Sequence, residues 1–324
     1  MCGRFSLHVP ANELGGRLYR DYGIETGNTT NLSYNTSYNV APTTNIPVIN
    51  SNLEIHVCRW GIIPHFANNS SVNYSQTLKT INARAESLED GSSPLWNSLK
   101  STKRCVIPVD GFFEWLLQGK EKIPHFTKRK DNHMMLFAGL HDRFQTKEQT
   151  IDSFTIITTS ASKQFEAIHN RMPVILDKEG ALKWLDKSKK WDTDICHLLK
   201  PYHDSLDIYA VTKEMSKPGS SKPSYIQPIS DRKDGIKSFF AKQAQSPKKD
   251  GVTKHDLKKE EHDVKQEQHV AKTEDNLAKK EEDDVDTAIK RSLQDTEPEA
   301  DVKPAKKVKK TDNNATLDGY VKQE

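Results

Sequence analysis

No stretch of about eighteen apolar residues occurs anywhere in the chain, which leaves no candidate for a membrane-spanning helix. The first residues, Met1-Cys2-Gly3-Arg4, run into no apolar signal-peptide core. Cysteine is scarce, four in 324 residues, and no two are spaced as Cys-x-x-Cys. That scarcity excludes a secreted disulfide framework and a thiolate zinc site, and it fits a reducing compartment. No repeat of roughly 20 to 50 residues is visible, which excludes a solenoid or propeller. Residues 241–324 lack Trp, Phe and Cys and hold one Tyr, yet carry 18 Lys and Arg against 20 Asp and Glu. Such a segment buries too little apolar surface to offset chain entropy, so a disordered tail is expected. The whole reads as a soluble intracellular protein.

The first 240 residues hold all five Trp, all eleven Phe and all four Cys, enough for one α+β domain with a sizeable core. Their 30 basic and 25 acidic residues give a modest positive excess, weak by itself as a sign of nucleic-acid binding. Apolar or alternating runs at 45–49, 55–60, 104–108, 133–139 and 153–159 read as strands of a mostly antiparallel system. Residues 160–170 read as a short helix, with a Ser cap, apolar Phe165 and Ile168 at helical spacing and Pro173 just beyond. A second short helix is predicted over 179–185. Lys103 and Arg104 read as strand-edge charges.

Cys2 carries the sharpest chemistry. Met aminopeptidases remove Met1 when the next residue is small, and removal turns Cys2 into a 1,2-aminothiol. Its α-amine has a reference pKa of about 7.7–8.0 and its thiol about 8.5, so part of the amine is free base at neutral pH. An aldehyde condenses with such an amine to an imine, and the neighbouring thiol closes a thiazolidine ring on it. A small apolar filler at position 2 is the alternative.

Six motifs accompany it in order: Cys2-Gly3-Arg4-Phe5, Tyr38-Asn39-Val40-Ala41-Pro42-Thr43, Arg59-Trp60-Gly61-Ile62-Ile63-Pro64, Ile81-Asn82-Ala83-Arg84-Ala85-Glu86, the run from Arg104 through Trp115, and His169-Asn170-Arg171-Met172-Pro173. Together they resemble the SOS-response-associated peptidase family. The resemblance covers residues 2 to about 230, and a domain over 2–235 follows, with a tail over 236–324. It implies an α+β fold with a mostly antiparallel, barrel-like β core and peripheral helices. It further implies a basic channel leading single-stranded DNA with abasic sites to the amino terminus, where Cys2 forms a thiazolidine crosslink. On this likeness Cys2 is the nucleophile, Asn82 orients the sugar, Arg84 clamps phosphate, Glu114 is an acid/base carboxylate and His169 a catalytic imidazole. The chain departs from the family at His65-Phe66 and His141, where Trp is frequent.

Opening a closed abasic sugar needs one group to give a proton and another to take one. Glu114 lies between Phe113 and Trp115, an apolar setting that raises a buried carboxyl. A salt-bridged strand residue is the alternative. His169 falls in the last turn of the predicted helix, where the dipole favours imidazolium. Arg4, Arg84 and Arg171 are phosphate candidates, Asn39 joins them in the channel, and Trp60, Trp115 and Pro42 are stacking or wedging surfaces. No metal or organic cofactor is expected, and the domain is expected to act as a monomer. A cysteine peptidase using Cys2 with His169 as base is the enzymatic rival, and a non-catalytic DNA-bound adaptor is the other.

In the tail, residues 303–310 have the density of a nuclear import signal, so nuclear localisation is expected. Ile236, Phe239 and Phe240 fit the spacing of a sliding-clamp box, and Leu317, Tyr320 and Val321 fit it less well. Val285, Ala288, Ile289 and Ser292 share one helical face behind an acidic run, a pattern suited to docking ubiquitin.

Overall fold

A computed structural model of the protein describes residues 2–27, 32–67 and 74–231. Contacts divide the chain into two units, Met1–Gln245 and Ser246–Glu324, and all described residues belong to the first. The expected clamp box at Ile236, Phe239 and Phe240, its weaker counterpart at Leu317, Tyr320 and Val321, the ubiquitin stripe at Val285, Ala288, Ile289 and Ser292, and the basic run 303–310 lie outside them.

Short runs of β-branched and aromatic residues between turns give thirteen strands among the described residues. They are β1 (Arg4–Leu7), β2 (Ser37–Val40), β3 (Asn45–Ile49), β4 (Ile55–Trp60), β5 (Asn82–Arg84), β6 (Arg104–Val109), β7 (Gly111–Gln118), β8 (Glu121–Arg129), β9 (Met135–Gln145), β10 (Thr150–Ser160), β11 (Arg171–Pro173), β12 (Ile175–Leu176) and β13 (Leu206–Ala210). The α-helices are α1 (Ala11–Tyr22), α2 (Tyr74–Leu78), α3 (Ala85–Glu89), α4 (Pro94–Leu99) and α5 (Lys178–Leu185). None is long and apolar enough to cross a membrane, among the described residues.

Strands β10, β4, β3, β6 and β9 pair in that order, and β9 pairs back onto β10, so five strands close a barrel. Closure leaves no free edge around the ring. Every junction is antiparallel except β4 with β10, which is parallel. The second sheet, β13-β8-β7-β1-β2, is antiparallel throughout. Strand β10 outruns the barrel. Its last residues take β5 in parallel, Ile156 against Asn82 and Thr158 against Arg84, and β11 antiparallel, Ser160 against Arg171. One strand end thereby gathers three segments far apart in sequence.

The five expected strands are β3, β4, β6, β9 and β10, and the helix at 179–185 is α5, capped by Asp177, whose side chain accepts from the Gly180 N–H at 2.7 Å. The helix expected over 160–170 is not one. Only isolated turns form there, Phe165 and Glu166 N–H to Ser162 and Ile168 and His169 N–H to Phe165. The Ala161 N–H donates to Asn170, closing the segment as a loop between β10 and β11, and Phe165 packs 5.3 Å from Phe112. These long-range ties override the local signal. Arg104 likewise corrects its reading as an edge charge: 2% exposed, it donates to the carbonyls of Trp184, Lys100, Ser101 and Asp186. Helix α1 was not legible, because Gly15 and Gly16 dilute a pattern whose buried face is Leu14, Leu18 and Tyr22.

Gly139 marks a close approach in the barrel wall. A Cβ there would lie 2.3 Å from Ile107 Cδ1 and 2.5 Å from the Thr155 carbonyl oxygen. Gly139→Ala should therefore cost on the order of 1–3 kcal/mol of stability through overpacking. Urea unfolding checks this, and an unchanged midpoint would refute the close approach.

Candidate active site

Cys2 enters β1 fully buried. The antiparallel register of Arg4 with Phe113 carries Glu114 of β7 alongside the start of the chain. From the opposite side β5, fixed on β10, brings Asn82, whose Nδ2 donates to the Cys2 carbonyl at 2.9 Å. The Asn82 Oδ1 is buried without a hydrogen-bond partner. A buried amide oxygen without a donor is costly, so it is poised to accept from an arriving group. The loop before β11 supplies His169, whose Nδ1 accepts the Arg171 backbone N–H at 2.9 Å. In the neutral ring that bond puts the proton on Nε2.

Burial dominates the electrostatics. It pushes the Cys2 thiol far above its usual range, and the Glu114 carboxylate adds to the effect. Burial raises Glu114 to about 7, against the opposing pull of the chain's N-terminal ammonium. Desolvation thus outweighs the attraction and hydrogen bond of that ammonium, both of which lower the carboxyl. For His169, burial lowers the pKa and the same ammonium adds to it. The expected imidazolium is thus corrected: no helix end is present to favour it, and the ring is neutral at neutral pH. The Cys2 thiol feels the Glu114 carboxylate, and Asn82 bonds the Cys2 carbonyl, so these three residues meet at the start of the chain.

The outer residues sort differently. Arg84 has a side chain 62% exposed, 3.9 Å from Glu86, and presents a cation to solvent. Arg171 is 8% exposed, paired through both terminal nitrogens with the Glu86 carboxylate and donating to the Thr158 carbonyl at 2.7 Å. It is a strut, and a phosphate would have to displace Glu86 to reach it. Asn39 is also structural, its buried amide donating to the carbonyls of Met215, Lys217 and Ser220. Arg4 donates to Asn39 Oδ1 at 2.9 Å and to Met215. Trp60 is the clearest correction: wholly buried, 4.8 Å from Phe5 and 6.4 Å from Phe154, it is core and presents no face for stacking. Trp115 is half-buried with its Nε1 on Ser216 Oγ at 3.1 Å, and Pro42 is half-buried.

Glu86 was missed as a site residue. Its signal was present, two residues after Arg84 in the Asn82 motif, but its partner Arg171 is 85 positions away. Among the described residues, no three His, Cys, Asp or Glu side chains group to hold a metal ion.

Fold and site define an α+β barrel protein organised around a buried cysteine beside its amino terminus. The chain belongs to the SOS response associated peptidase (SRAP) family, whose model matches residues 1–218. It is 38% identical over 234 residues to the abasic site processing protein YoqW of Bacillus subtilis, covering 70% of this chain and 99% of that one. It is 31% identical over 258 residues to the abasic site processing protein YMR114C of Saccharomyces cerevisiae, 71% of this chain and 68% of that one. A crystal structure of a protein from Bacteroides thetaiotaomicron superposes with a TM-score of 0.62 at 28% identity, over 70% of this chain and 99% of that one.

The raised Glu114 has a thermodynamic signature. The folded state keeps a proton that the unfolded chain has lost, so the stability this group lends is full below about pH 4.5 and lost as pH rises through about 7. Glu114→Gln should remove that loss, leaving the variant more stable than wild type at pH 8 by on the order of 3 kcal/mol. At pH 4 the two should match. Urea unfolding at both pH values is the check, and parallel pH curves would show a solvated carboxyl.

Proposed function

We propose that this protein processes abasic sites in single-stranded DNA by bonding them covalently to Cys2 once Met1 has been removed. Two of its relatives carry abasic site processing in their names. The observation that carries the reading is the Asn82 bond to the buried Cys2, whose thiol feels the Glu114 carboxylate.

The reaction follows from the protonation states. The Cys2 amine, with a reference pKa of about 7.7–8.0, is the better nucleophile beside a thiol that burial keeps protonated. It adds to the C1′ aldehyde of the opened sugar, and the carbinolamine loses water to give an imine. The sulfur then adds to the imine carbon as its proton passes to nitrogen, closing the thiazolidine. The net change is aldehyde plus aminothiol to ring plus one water. Glu114, half protonated near pH 7, donates to the departing sugar or hydroxyl oxygen, and neutral His169 accepts a proton. Asn82 Oδ1 accepts from a sugar hydroxyl or the amine. Arg84 meets a backbone phosphate. The raised thiol speaks against the peptidase rival, which needs a thiolate. The setting is the nucleus, with the tail as adaptor for clamp and ubiquitin.

Retaining Met1, or extending the amino terminus, should abolish crosslinking to an abasic oligonucleotide while DNA affinity stays. Cys2→Ser should leave an adduct that does not survive heating, because its hydroxyl closes a weaker ring. Intact-mass spectrometry reads both, and a normal adduct on a protein that keeps Met1 would end the proposal. Arg84→Glu should weaken binding to undamaged strands as well as crosslinking and lower the slope of affinity against salt. An unchanged slope in a binding titration would make Arg84 structural.

A further inference from the structure

The mouth of the barrel holds a cavity of about 280 Å³ that the chemistry at Cys2 does not use. Asp152 of β10 lines it, four residues before Ile156, where β5 joins to carry Asn82 toward Cys2. At about 3.3 Å per residue the two sites lie at different levels of the same strand, roughly 13 Å apart along it. Barrel mouths are a recurrent place for small ligands.

Both carboxylates in the cavity wall already have partners. Asp152 takes a bidentate pair of bonds from Arg143, at 2.7 and 2.9 Å. Glu54 accepts from Asn50 at 3.0 Å and Asn52 at 3.4 Å and pairs with His56 at 3.3 Å. The Cys58 thiol, pushed up to about 12 by burial and then by Asp152, contributes an uncharged S–H. Two groups remain. Lys103, half-buried, has no acidic partner among the described residues, and the half-buried His141 ring has no hydrogen-bond partner among them. Burial first, then the Lys103 ammonium and last His56, hold His141 down to about 4 against the pull of the Asp142 and Asp152 carboxylates. An ammonium without a counter-charge beside an imidazole without a partner, in a recess whose acids are occupied, is complementary to an oxyanion.

We propose that the barrel mouth is a second binding site, taking a phosphate-class oxyanion between Lys103 and His141. The same group is offered by free inorganic phosphate and by the backbone of a nucleic-acid strand. Bound there, the anion supplies the counter-charge Lys103 lacks and lets His141 take up a proton, so binding and protonation of that ring are linked.

The test follows the His141 ring by NMR in the full-length protein, with His141→Gln identifying the signal. One arm adds inorganic phosphate up to about 20 mM, and the other adds an undamaged single-stranded oligonucleotide, each against sodium chloride at matched ionic strength. Saturable binding at millimolar phosphate is expected, with the His141 pKa raised by about one unit or more. Lys103→Met should weaken binding at least about tenfold, while Lys103→Arg, which keeps the charge, should retain it. A response to the oligonucleotide alone assigns the site to a strand phosphate, and a response to phosphate assigns it to the free anion. Silence in both arms, an equal response to sodium chloride, or wild-type binding in Lys103→Met would overturn the proposal.

Discussion

The extension of β10 beyond the barrel, with both its edges occupied, is the constraint on which the site depends. Backbone hydrogen bonds to β5 on one side and β11 on the other fix Asn82, Arg84 and Arg171 to a single strand end. Asn82 then reaches the Cys2 carbonyl, and Arg171 anchors the loop whose His169 accepts its N–H. Glu86 ties the two flanks together, because it follows β5 in sequence yet binds Arg171 at the start of β11. A slip of β5 by one residue would turn Asn82 to the other face of the strand and leave the start of the chain without its hold.

A barrel provides this rigidity at little cost in irregular backbone. Closing five strands satisfies their backbone donors and acceptors within the ring, so a sixth and a seventh can be added to β10 alone without exposing an edge there. Trp60 and Phe154 fill the interior and pass the packing on to Phe5, three residues from Cys2. The position of Cys2 thus rests on the core as directly as on its own hydrogen bonds.

How much of this was legible depends on how local the cause is. The strands at Asn45–Ile49 and Ile55–Trp60 follow from runs of β-formers, whereas the burial that raises Glu114 comes from the fold, since Phe113 and Trp115 alternate to the other face of the strand and pack in a separate cluster. The residues around Cys2 came from motifs, since spacing alone says nothing about which segments meet. Trp60 failed because an aromatic in a motif reads the same whether it stacks on a base or on Phe5. Asn39 and Arg171 failed because their partners are distant in sequence: Met215 and Ser220 for one, Glu86 for the other. The 160–170 segment has a sound local helix pattern, overridden by the β10–β11 pairing that reaches from Thr158 to Pro173 and by the packing of Phe165 on Phe112.

The protonation pattern has a consequence for which residue moves which proton. Had His169 ended a helix, it would have been the acid and Glu114 the base. With the ring neutral and the carboxyl near 7, the proposed reaction inverts that order: the carboxyl is the group that holds a proton to give, and the imidazole is the group with room to take one. Both shifts arise chiefly from burial, which disfavours the charged form of each. In the proposed reaction the thiol beside the attacking amine stays uncharged until the imine forms. In the proposed reaction the same desolvation that makes the site costly to fold sets the order, nitrogen first and sulfur second.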